Sequence, residues 1–286
     1  MRLVDAHNHL GYWSPDGTQS VGELLLEAEK RGLHGVGISD HYDPDCEMSD
    51  GSPWTFDPKA YMEAFYSKRR MPSKRQEGDP PGFLVGIELG WMPEVSDVLH
   101  NIVREYPFDF SIVSLHYFRS YDPFTHAEHI YTSKLHKVYT EVIHAIADSA
   151  QDMKEANIVA HFDFFSRYAP QRDSKMHYEH APEAFDRLFK IMMENNQALE
   201  INVGTVNSLM KRKDYALKDA MPDEKILDRY IELGGDLFTI CSDAHHVEQN
   251  GLHMNETLQY LESLGITEFV WFEERELRHP RYSVLK

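Results

Sequence analysis

The sequence predicts an α/β barrel built on a parallel sheet, and three observations carry that reading. Short apolar runs alternate with amphipathic stretches along the chain, the pattern of repeated strand–helix units. The 286 residues are 42% hydrophobic, enough to bury one barrel core. Almost every strand-like run ends in a residue type that can ligate a metal, and in parallel barrels that end builds the site. No internal repeat, low-complexity tract or linker divides the chain, so one domain is expected over residues 1–286.

Taken in order, residues 2–6 read as the first strand. Residues 20–32 read as a helix, because Val21, Leu24, Leu25 and Ala28 recur at helical spacing and Gly32 follows as a cap. GVGIS at 35–39 is the second strand. Residues 42–82 are rich in Pro, Gly, Asp and Lys and read as a loop excursion over the barrel mouth, with a helix near 58–70. FLVGIEL at 83–89 is the third strand, a helix covers 94–105, and FDFSIVSLHYF at 108–118 contains the fourth. A long helix covers 133–156. IVAHFDF at 158–164, ALEINV at 198–203 and LFTICSDAHH at 237–246 give the fifth, sixth and seventh strands. A helix at 254–264 and a strand at 268–272 close the chain.

Composition narrows the function classes. The formal net charge of −18 repels polyanions, so a general nucleic-acid binder is not expected. A small anionic substrate stays possible, because bound cations reverse the local sign. The two cysteines make neither a zinc-ribbon spacing nor a secreted disulfide framework, which points to a reduced, cytoplasmic setting. The opening MRLVDAHNHL lacks the apolar stretch of a signal peptide, and no run of about 18 apolar residues predicts a membrane helix.

The 17 histidines concentrate the chemistry. Strand ends carry His7 and His9, Asp40 and His41, Glu88, His116, His161, and Asp243 with His245 and His246. Residues two apart on a strand face the same way, so His7 with His9, and Asp243 with His245, can each serve one metal region. Imidazole and carboxylate together suit Zn²⁺, Mn²⁺ or Fe²⁺ better than Mg²⁺ or Ca²⁺. The donors exceed the need of one ion, so a site for two or three divalent transition metals is expected. Singly, each piece has a plainer explanation: a histidine pair is weak evidence, Ser-Asp can cap a helix, and one buried histidine is usually a core residue. Their joint register with the strands is what argues for a metal centre.

In this arrangement the chain resembles the PHP (polymerase and histidinol phosphatase) superfamily, in particular its histidinol-phosphate phosphatase branch. The segments that carry the resemblance are DAHNHL at 5–10, ISDHYD at 38–43, GIEL at 86–89, DFSIVSLHYF at 109–118, AHFDFFSRY at 160–168, ALEIN at 198–202, SDAHH at 242–246 and FVWFEERE at 269–276. The resemblance implies a distorted (β/α)7 barrel and a trinuclear Mn, Fe or Zn site. It implies that one metal takes His7, His9, Glu88 and Asp243, a second His41 and His245, and a third Glu88, His116 and His161. It also implies that Arg167 meets a substrate phosphate. Two departures stand out. Where the family usually has a further histidine ligand, this chain has Asp16, which can ligate or simply form a Pro-Asp-Gly turn. Where the family has a second substrate arginine, this chain has Asn207, and the nearby Lys211-Arg212-Lys213 reads as a solvated helix face.

The expected activity is hydrolysis of a small phosphomonoester, L-histidinol phosphate first among them, through attack by a hydroxide that bridges two metals. Asp243 belongs to that machinery as well as to the ligand set. The leaving oxygen needs a proton, and His246 and Asp163 are the candidates to supply it; either can instead orient a ligand. Rival readings are an amidohydrolase-type metallohydrolase, a non-catalytic metal module and a nuclease-like PHP phosphoesterase. Ser39-Asp40-His41 and His245 are surplus to the first, the nearly complete donor set argues against the second, and the acidic charge against the third.

Overall fold

The computed structural model describes residues 2–44, 46 and 53–279. The excursion over 42–82 therefore lies outside the described residues at 45 and 47–52, and the 1–286 domain at residue 1 and 280–286.

The chain runs through β1 (Val4–Asp5), α1 (Val21–Lys30), β2 (Gly35–Ile38), β3 (His41–Tyr42), α2 (Pro58–Phe65), β4 (Gly82–Gly90), α3 (Ser96–Glu105) and β5 (Phe110–Ser114). It continues with α4 (Ala127–Ile130), α5 (Leu135–Asp152), β6 (Ile158–Val159), α6 (Pro182–Asn195), β7 (Ala198–Asn202), α7 (Val203–Lys213), α8 (Leu217–Ala220), α9 (Glu224–Glu232) and β8 (Phe238–Cys241). Helix α10 (Met254–Ser263) and the strands β9 (Trp271–Glu273) and β10 (Glu276–Arg278) follow.

The parallel strands lie in the order β1-β2-β4-β5-β6-β7-β8, each beside the next. The ring nearly closes. His9 donates its backbone N–H to the Ala244 carbonyl at 2.9 Å, and the Ser242 N–H reaches Asp5 Oδ1 at 3.0 Å. β3 continues β2 in unbroken register: Ile38 lies opposite Val85, and His41 opposite Glu88. The result is a nearly closed barrel of seven parallel strands wrapped by helices.

Strand periodicity explains how the barrel presents its site. Leu84, Phe110, Ile112 and Ala198 belong to the interior cluster, while Phe83, Val85, Ile87 and Leu89 pack outward with the helices. A period of two then points Glu88, Ser114, Glu200 and Asn202 inward as well. Each of these strands thus reads apolar at its start and polar at its end. Phe110 fills the lower interior so tightly that a Cβ on Gly86 would lie 2.3 Å from its ring, and one on Gly37 2.7 Å.

Local signals set the helices. Ser20 and Glu23 form a reciprocal capping box at the start of α1, and Gly32 (φ +69°) lets the chain leave it. Asp57 caps α2, whose first residue is Pro58. The helix expected to 70 gives way at Phe65 to a 3-10 turn over Tyr66–Lys68. The run expected as a strand at 268–272 is no barrel strand. Its β9 pairs antiparallel with β10, and Arg275 N–H reaches the Asp109 carbonyl, just ahead of β5. This hairpin seals the N-terminal end with Trp271, which is buried.

Candidate metal centre

Glu88 stands at the middle of the mouth, with no exposed surface. Its Oε1 lies 3.1 Å from His116 Nε2 and 3.1 Å from His161 Nε2. Its Oε2 lies 3.2 Å from His7 Nε2, 3.6 Å from His9 Nε2 and 2.9 Å from His41 Nδ1. Asp243 Oδ1 approaches the same histidines from β8, 3.3 Å from His9 Nε2 and 3.7 Å from His7 Nε2. A second group forms above them. His41 Nε2 and His245 Nε2 are 3.3 Å apart, and Asp16 sets one oxygen 3.1 Å from His245 and the other 3.7 Å from His41. All nine residues expected as ligands thus converge, including Asp16, which the Pro-Asp-Gly turn brings to the rim.

These spacings suit metal ions. Bonds of about 2.1 Å put tetrahedral donors about 3.4 Å apart and octahedral donors about 3.0 Å apart. Donor atoms of His7, His9 and Asp243, of His7, Glu88 and His161, of His9, His41 and His245, and of His41, Asp43 and His116 each gather within 4.8 Å. Among the described residues, His7 Nε2, His9 Nε2, His41 Nδ1, Asp43 Oδ2 and Glu88 Oε2 are buried without a hydrogen-bond partner. Orphaned buried polar atoms are costly, and several aimed at one spot fit cations between them.

The surroundings aim the imidazoles. Glu200 Oε1 lies 2.6 Å from His7 Nδ1, Asp43 Oδ1 2.7 Å from His116 Nδ1, and the Asp243 carbonyl 3.0 Å from His245 Nδ1. With Nδ1 held by oxygen, each ring presents Nε2 to the centre. Glu200 also accepts the His161 backbone N–H at 2.7 Å. Asp43 and Glu200 had no role in the sequence reading. Each stands in a segment already singled out, ISDHYD and ALEIN, but which imidazole it meets depends on barrel closure.

Electrostatics favour cations. Asp16, Asp43, Glu88, Glu200 and Asp243 bring five carboxylates against one guanidinium, that of Arg167, and two divalent ions would balance the excess. Burial opposes charge on His7 and His116, yet their carboxylate neighbours hold both well above the usual histidine range. Burial likewise opposes ionisation of Glu88 and Asp243, but the surrounding imidazoles hold both well below the carboxylate range.

Gly90 gives a direct test of this geometry. A Cβ there would lie 1.8 Å from Asp43 Oδ1. Gly90→Ala is therefore expected to push Asp43 off His116 and weaken one metal position about tenfold or more. Titration against a chromogenic chelator measures this; unchanged binding of every ion would show that Asp43 does not orient His116.

Arg167 is buried beside the centre. Its Nη2 donates to Asp243 Oδ2 at 3.1 Å and Asn202 Oδ1 at 2.8 Å, and its Nε to Thr205 Oγ1 at 2.9 Å. Asp163 accepts from Thr205 at 2.8 Å, and burial raises its carboxyl to about 6 although Arg167 pulls the other way. His246 Nδ1 lies 2.7 Å from Thr18 Oγ1. Asn207 pairs with the Leu252 carbonyl and His253 Nδ1, neither of them a residue of the cluster.

A parallel barrel with clustered nitrogen and oxygen donors at its C-terminal mouth defines the class as a barrel with a candidate metal-binding site. The chain belongs to the PHP domain family, whose match covers residues 5–204. It is 27% identical to a probable histidinol-phosphatase of Clostridium acetobutylicum, over 97% of this chain and 99% of that protein. It is 21% identical to the histidinol-phosphatase of Lactococcus lactis subsp. lactis, over 99% of each. The crystal structure of the Lactococcus lactis histidinol phosphate phosphatase, complexed with Zn, L-histidinol and phosphate, superposes with a TM-score of 0.81 at 19% identity, covering 97% of this chain and 99% of that one.

Proposed function

We propose that this protein is a metal-dependent phosphatase acting on a small phosphomonoester, with L-histidinol phosphate the first candidate substrate. The observation that carries the reading is the convergence of orphaned, buried donor atoms on Glu88 with the Arg167 guanidinium 3.1 Å from Asp243. Relatives of nearly equal length named as histidinol-phosphatases support the choice of ester.

In this reading about two or three Mn, Fe or Zn ions are held. His7, His9, Glu88 and Asp243 hold one; His41, His245 and Asp16 a second; Glu88, His116 and His161 a third. The hard oxygen of Asp16 favours Mn²⁺ or Fe²⁺ at its position. When bound, the ions would supply Lewis acidity and a water that ionises near neutral pH. Arg167 binds the phosphoryl oxygens through its guanidinium, fixed by Asn202 and Thr205. Asp163 or His246 protonates the leaving oxygen. Asn207, with its side chain tied to the 252–253 segment, contributes a polar wall rather than a charge. The whole chain acts as one barrel domain in the cytoplasm; no helix among the described residues is long and apolar enough to cross a membrane.

Elemental analysis of gently purified protein beside assays on a panel of phosphomonoesters tests the reading. About two or three transition metals per chain are expected, with kcat/KM on histidinol phosphate above about 10⁴ M⁻¹s⁻¹. A metal-free chain that gains no turnover with Mn²⁺, Fe²⁺ or Zn²⁺ would sink it.

A further inference from the structure

We infer that Tyr61, on helix α2 of the excursion, is a positioning residue for the metal centre: through Asp40 and Ser14 it fixes the orientation and tautomer of His9. The path is continuous and buried. Tyr61 Oη donates to Asp40 Oδ2 at 2.8 Å. The other oxygen, Oδ1, accepts the Leu10 backbone N–H at 2.7 Å and the Ser14 hydroxyl at 2.8 Å. Ser14 Oγ lies 3.2 Å from His9 Nδ1 and accepts the His41 backbone N–H at 3.2 Å. Tyr61, Asp40, Ser14 and His9 are all buried.

The direction of each bond follows from the inventory of donors. A carboxylate receiving three donors is an acceptor only, so the one proton of Ser14 points to Asp40. Ser14 Oγ can then only accept from His9, which places the imidazole proton on Nδ1. His9 Nε2 is left as a bare lone pair, and it is one of the orphaned atoms beside Asp243 and Glu88. Removing the tyrosine hydroxyl takes one of three donors from Asp40 and loosens the carboxylate that fixes Ser14.

The same helix clasps the loop that carries Asp16. The Trp13 ring meets Tyr61 at 5.1 Å and Phe65 at 5.9 Å. Beyond α2's N-terminus, Trp54 sets its ring edge-on to His41 at 5.1 Å, and its backbone carbonyl accepts the Asp43 N–H at 2.8 Å. The excursion therefore braces the His9, His41 and Asp16 side of the centre.

The test compares Tyr61→Phe, Ser14→Ala, the double variant and Met62→Ala, a buried apolar change on the same helix. The probe is Co²⁺, read by chelator competition and by its visible absorption band, with melting temperature alongside. Tyr61→Phe is expected to weaken one ion about tenfold or more and change the band. Ser14→Ala should do the same, and the double variant no more than either, because both act on one path. Met62→Ala should lower melting temperature while leaving Co²⁺ affinity and band alone. If Tyr61→Phe behaves like Met62→Ala, or if the two losses simply add, the hydroxyl is structural and the inference is overturned. The inference rests on the proposed metal centre but is read by affinity, not turnover. An inactive wild-type chain that shows this pattern supports it and defeats only the phosphatase reading; a wild type that binds no Co²⁺ overturns both.

Discussion

Glu88→Gln is expected to lower kcat by about three orders of magnitude, roughly 4 kcal/mol of barrier, while the barrel stays folded. The reason is its position. The two oxygens of one buried carboxylate lie within 3.6 Å of ring nitrogens from His7, His9, His41, His116 and His161. The amide is nearly isosteric, and Ser114 Oγ, 2.5 Å from Oε1, can still donate to the amide oxygen. What is lost is the charge and one lone-pair oxygen shared between two of the proposed metal positions. The NH₂ that replaces it can only donate, toward nitrogens already set to present lone pairs. Circular dichroism should be unchanged and metal content should fall by at least one ion per chain. Retention of more than about a tenth of wild-type kcat, under roughly 1.4 kcal/mol of barrier, shows that Glu88 does not bridge.

Arg167→Ala is expected to raise KM and lower kcat together, each about tenfold, or roughly 2.7 kcal/mol in kcat/KM. A guanidinium fork meets phosphate in the ground state and in the transition state, so both parameters respond. Arg167 is preorganised by three neighbours: Thr205 on Nε, and Asn202 and Asp243 on Nη2. Arg167→Lys should recover little, because an ammonium cannot copy that planar fork. Metal content should stay near wild type, which separates this effect from loss of Asp243 as a ligand. A kcat/KM within threefold of wild type would reduce Arg167 to a structural partner of Asp243.

How far the centre could be read from the chain follows from the range over which each signal acts. His7 with His9 and Asp243 with His245 were legible because a strand's period of two places both members on one side. Glu88 was legible because it closes an apolar run. The roles of Glu200 and Asp43 were not. Glu200 meets His7 across 193 positions of sequence, and Asp43 meets His116 across 73. Helices α6 and α9 received no assignment, although Phe185, Leu188, Phe189 and Met192 repeat at helical spacing and are buried. The final apolar run was legible as a strand, but that it folds into a hairpin with β10 was not, since β-propensity does not choose a strand's partner.

By itself the sequence determined the parallel barrel and the eight strand-end residues, His7, His9, His41, Glu88, His116, His161, Asp243 and His245, that gather at its mouth, because local periodicity decides which side chains end each strand. Tertiary structure alone decided which oxygen holds each imidazole, where Asp16 lands, and that Tyr61 reaches Asp40 from a helix 21 positions away. Those choices depend on the closing of β1 against β8 and on the docking of α2. Hydrogen-bond direction over distances near 3 Å is set by that packing and leaves no periodic trace in the chain.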